Sequence, residues 1–158
     1  MDILSMVTKQ LSDPKVLEQL SKSTGADPSK VQKLAKDGLP TLMNALKQNA
    51  STPAGAKALD KALEDHKDDK VDDVLGFLKN VDTNDGSKIL NHIFASKTET
   101  VQADLAKKAG MDQSQASSLL TQLAPLVLGA LGNQKKTQGG SSDVLNIVGG
   151  LLGSFFKK

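Results

Sequence analysis

Apolar residues recur at three- and four-residue spacing along most of the chain, and alternating stretches long enough for strands are missing. The pattern predicts an all-α fold. Ile3, Leu4, Met6 and Val7 predict a short amphipathic helix at the start. A further helix runs to about Ser23 and ends at Gly25, where a left-handed C-cap costs a glycine little. Asp27 and Pro28 then read as an N-cap followed by a first-turn proline. Val31, Leu34 and Ala35 supply the buried stripe of the next helix. Leu39-Pro40 predicts a kink or a new start, with a third helix over Leu42, Met43, Ala45 and Leu46. Ser51-Thr52-Pro53 opens another helix through Ala58, Leu59, Ala62 and Leu63. After the polar break His66 to Lys70 comes a stripe of Val71, Val74, Leu75 and Leu78. The segment from Asn80 to Gly86 reads as a loop of turn formers, and a helix is expected from about Ser87 to Ala95.

The chain also resembles itself. Set Leu20 on Leu105, and Lys22 falls on Lys107, Gly25 on Gly110, Asp27 on Asp112, Ser29 on Ser114 and Leu34 on Leu119. Pro40 falls on Pro125, Ala45-Leu46 on Ala130-Leu131 and Val16 on Val101, all without a gap. With one residue of slippage Ile3-Leu4 meets Ile89-Leu90. A shared register of this length predicts an internal duplication of a multi-helix unit. The expected architecture is a helical bundle spanning 1–134, with related units at about 3–50 and 89–134 and a helical connector at 51–88. The second unit is greasier: Gly129 and Gly132 stand where the first has Asn44 and Lys47. A central place in the fold explains that, and an interface is the alternative.

Residues 135–142 are polar and glycine-rich, and predict a flexible linker. Residues 143–158 predict an amphipathic C-terminal helix. Val144, Val148, Leu151 and Phe155 share one side, widened by Leu145, Leu152 and Phe156, with Asp143 at the start and two lysines at the end. Such a segment can fold back on the bundle, dock into a partner or a second copy, or lie on a membrane surface. It is too short to span a bilayer. The candidate interaction residues are Val148, Leu151, Leu152, Phe155 and Phe156, because their exposure would leave an apolar patch.

Composition narrows the chemistry. The 158 residues hold no cysteine, tryptophan or tyrosine, which removes disulfides, thiolate metal sites and cysteine catalysis. The N-terminus lacks a secretory signal and no apolar run reaches spanning length, so a cytoplasmic location is the default expectation. His66 lies among charges and should be solvated; His92 lies in ILNHIF and should be a partly buried helix histidine. Neither has a ligand or base at a fixed spacing. Asp68, Asp69, Asp72 and Asp73 do not match an EF-hand, and the stretch opening at Asp82 has Ile93 where the closing carboxylate belongs. No catalytic residue, cofactor or metal is expected, and the protein reads as no enzyme.

Ser21, Gly25 and Val31, like Ala106, Gly110 and Ala116, have helix-turn-helix spacing. Lys30, Lys33 and Lys36 would be the phosphate contacts of a DNA-binding alternative. The net charge of only +2, the absence of arginine and a matching second-copy helix with no charge after Asp112 argue against nucleic acid. The turns are expected to serve packing.

GSKILNHIF from Gly86, VQADLAKKAGMDQSQASSLLTQLAPLVLGALG from Val101 and DVLNIVGGLLG from Asp143 resemble a bacterial protein family, the DUF937 or YidB-like proteins. The stretch Gly86–Phe94 and Leu123-Ala124-Pro125 are the more specific parts, and Ala95 departs from a glycine common after the phenylalanine. The resemblance implies a small all-α protein and brings no activity or site residues. Together these readings point to a non-catalytic protein acting through contact with an unknown protein or with itself, membrane association through the tail being a further alternative.

Overall fold

The computed structural model describes residue 6, residues 9–66, residue 71 and residues 73–137, without the side chains of Ala95 and 134–137. Among the described residues the protein is an all-α bundle of seven α-helices without strands. They are α1 (Pro14–Thr24), α2 (Pro28–Ala50), α3 (Pro53–Asp65), α4 (Val74–Lys79), α5 (Thr83–Phe94), α6 (Thr98–Ala109) and α7 (Gln113–Thr137). A single 3₁₀ turn, Ala95–Lys97, joins α5 to α6.

Side-chain caps set most helix starts. An N-cap oxygen satisfies a first-turn amide that has no partner within the helix. Asp13 accepts from Lys15 N at 2.8 Å, Thr52 from Gly55 N at 3.1 Å and Asp73 from Gly76 N at 3.2 Å. α1, α2 and α3 also begin with proline, whose missing N–H costs nothing there. α1 and α6 both end on a left-handed glycine, Gly25 with φ 79° and Gly110 with φ 72°. The following helices close on equivalent bonds, Val31 N to Asp27 O and Ala116 N to Asp112 O.

Three sequence expectations change. Of the expected Asn80–Gly86 loop only Asn80 to Asp82 lie outside a helix. Asp82 accepts from Asn84 N at 3.0 Å and Asp85 N at 3.3 Å, so residues from Thr83 onward form the first turns of α5. Pro40 and Pro125 do not start new helices; α2 and α7 run through them. A proline removes one intrahelical bond and crowds the carbonyl four residues earlier, and packing on neighbouring helices outweighs that loss here. α7 also continues to Thr137, taking in the first residues of the expected linker. The expected N-terminal helix is described only at Met6, and the C-terminal helix lies outside the described residues.

α7 is the axis of the bundle. It contacts each of the other six helices, and every residue from Gln122 to Gly132 is buried. A helix apolar all round belongs in the interior, which accounts for the greasier second copy without an interface. Leu119, Leu120, Leu123, Leu126 and Leu131 are fully enclosed, as are Leu20, Leu34 and Leu46 from α1 and α2. Gln122 is a polar side chain buried in this core, as are Thr98 and Gln102. It donates to Ser118 O at 3.2 Å and accepts from Ser23 Oγ at 3.1 Å, tying α7 to α1.

α5 and α7 approach each other closely at Gly86. A Cβ on Gly86 would overlap the Thr121 carbonyl oxygen, which places Gly86 Cα within about 3.3 Å of that oxygen. Thr121 O is the acceptor that Pro125, lacking an N–H, leaves free. The Gly86 Cα–H lies close to it, the arrangement of a weak C–H···O contact.

Candidate functional site

Among the described residues, one feature with the form of a binding site is a groove between α3 and α5, of about 330 Å³. Its apolar lining comes from Leu46 of α2, Ala58, Leu59 and Ala62 of α3, Ile89 and Ile93 of α5, and Leu128 of α7. Leu46, Leu59 and Leu128 are buried and form the floor; Ala58, Ala62, Ile89 and Ile93 are half-buried and form the walls. Lys61, Asp65, Lys88 and His92 stand on the rim, all exposed. An apolar trough with charges only at its edges suits an apolar side-chain row better than a polar metabolite.

The local sequence explains the shape. Ala58 and Ala62, one turn apart on α3, are too small to fill the gap to α5. Ile89 and Ile93 oppose them at the same spacing. The end of the groove is held by Asn49, whose Nδ2 donates to Ile93 O at 3.0 Å. At the other end of α3, His66 Nε2 lies 3.4 Å from Asp85 Oδ2 of α5. The first contact ties the end of α2 to α5, and the second ties the end of α3 to α5.

Both histidines therefore differ from expectation. The His66 side chain is only 17% exposed, because α5 begins earlier than expected and brings Asp85 beside it. His92 is exposed rather than partly buried, since Leu90 and Phe94 take the core-facing positions of α5. Asp73 and Asp82 cap helices, while Asp68, Asp69 and Asp72 lie outside the described residues. Among the described residues no three acidic or histidine side chains gather to hold a metal ion.

Lys30, Lys33 and Lys36 are exposed along the first half of α2. The matching positions on α7 are Gln115, Ser118 and Thr121. Gln115 is used structurally: it accepts from Asp112 N at 3.2 Å and donates to Gly25 O at 2.9 Å, joining the two helix-ending turns. Val148, Leu151, Leu152, Phe155 and Phe156 lie outside the described residues. The groove itself was missed in the sequence, because its lining is drawn from four helices far apart along the chain. No described helix is long and apolar enough to cross a membrane.

An all-α bundle arranged around one buried helix, with an apolar surface groove, is thus the class the described residues define. The chain belongs to the DUF937 family, described as bacterial protein of unknown function, which matches it over residues 5–134. No curated protein and no solved structure matches it.

Proposed function

We propose that the protein is a non-catalytic, cytoplasmic contact module that accepts an amphipathic helix in the α3–α5 groove. The observation that carries this is the groove's apolar floor and walls under a purely peripheral rim of charge. Helix-in-groove recognition needs such a trough and a ligand with apolar residues at i, i+3, i+4 and i+7. Val148, Leu151, Leu152 and Phe155 have that spacing.

The module is read as two related units. Support comes from the left-handed Gly25 and Gly110, the paired Asp27 and Asp112 helix entries, and long helices carrying Pro40 and Pro125 at matched positions. The helix-turn-helix-like turns serve packing in this reading, as the Gln115 bond to Gly25 O illustrates.

The test uses a synthetic peptide of residues 143–158 and the full chain carrying Leu152→Asp, which disables its own tail. Titration calorimetry should show saturable binding, weakened at least ten-fold by adding Ile89→Asp in the groove wall. Absence of peptide binding overturns the reading. A second reading, phosphate contact, rests on the exposed Lys30, Lys33 and Lys36. Salt-sensitive duplex DNA binding by the full chain, lost when all three become Glu, would favour it.

A further inference from the structure

Resting on the groove reading, we infer that its resident occupant is the C-terminal segment Asp143–Phe156 of the same molecule, folded back in cis. Three dimensions agree. α3 lines the groove from Ala58 to Asp65, about 10 Å of helix, and Val148 to Phe155 spans the same about 10 Å. Leu128 lines the groove and precedes the end of α7 at Thr137 by about 14 Å of helix. Residues 138–142, QGGSS, reach up to about 17 Å and match the loops that join antiparallel helices. A helix returning along α7 from Asp143 brings Val148 back about 8 Å and Phe155 about 18 Å, so Leu128 falls between them.

The chemistry agrees as well. The tail offers Val148, Leu151, Leu152 and Phe155 to a trough walled by Ala58, Ala62, Ile89 and Ile93. Gly149, Gly150 and Gly153 bear no side chain and permit close approach, at the cost of intrinsic helicity. The segment therefore gains order by docking. A groove of this size is small beside the interfaces that hold free partners together. A short tether supplies an effective concentration near millimolar, which favours the molecule's own tail over a second copy. The docked tail would occupy the groove until a better helix displaces it.

The chain has no cysteine, so disulfide trapping gives a clean test. In the full chain Ala62→Cys is paired in turn with Val148→Cys, Leu152→Cys or Phe156→Cys, and oxidised with glutathione disulfide. Lys30→Cys replaces Ala62→Cys as the control, some 24 Å along α2 from Leu46. At least one groove pair should form an intramolecular disulfide more than ten-fold faster than its control, in monomers that keep a wild-type helical spectrum. Disulfides that link two molecules, or no excess over the control, overturn the inference. If the peptide still binds in the calorimetric test, only the cis assignment falls; if the peptide does not bind, the groove reading falls with it.

Discussion

Gly86 and Pro125 solve one problem between them. Pro125 cannot donate to Thr121 O, and a buried carbonyl without a partner would cost about 1–3 kcal/mol. Gly86 brings its Cα–H to that oxygen because it has no side chain to hold α5 away. Gly86→Ala should therefore destabilise by about 1–3 kcal/mol through overpacking, read by urea unfolding. Gly110→Ala makes a useful contrast. Nothing lies within 4 Å of its Cβ position, so only the left-handed backbone is penalised, by about 1 kcal/mol. A Gly86→Ala cost no greater than that of Gly110→Ala would contradict the close crossing.

Helix ends were legible where a single residue decides them. Gly25, Pro28, Thr52 and Gly110 act through their own backbone or side chain, and the structure uses each as the local rules dictate. The misread elements depend on remote partners. Asp82 can close a turn or cap a helix, and TNDG became helical because Gly86 has α7 to pack on. Pro40 and Pro125 look like breaks unless the neighbouring helices are known. The groove was hidden for the same reason, since Ala58 and Ile89 acquire their roles only when α3 and α5 meet. The element that depends most on such partners is α7. Leu126→Ala should cost about 2–5 kcal/mol, as a fully enclosed leucine has no flexible neighbour at the surface to fill its space. Ile89→Ala, at a half-buried wall of the groove, should cost clearly less in the same denaturation series.

At the scale of the molecule, the shared helix α7 governs cooperativity. Leu20 in α1 and Leu105 in α6 occupy matched positions in the proposed repeat, and both are buried. If each half had its own core, one substitution would loosen one half and leave the other intact. α7, however, contacts α1 and α2 as well as α5 and α6, and Gln122 bonds directly to Ser23. Unfolding either half strips apolar cover from the same buried helix. The bundle should therefore unfold in a single transition. Leu20→Ala and Leu105→Ala should each lower the midpoint of that one transition, by several degrees for a destabilisation of about 2–5 kcal/mol in a chain of this length. Far-ultraviolet circular dichroism and hydrogen exchange at α1 and α6 amides provide the check. Coincident loss of protection in both helices, whichever leucine is replaced, fits one shared core. Protection lost in α1 alone for Leu20→Ala, and in α6 alone for Leu105→Ala, would mean that α7 does not couple the halves.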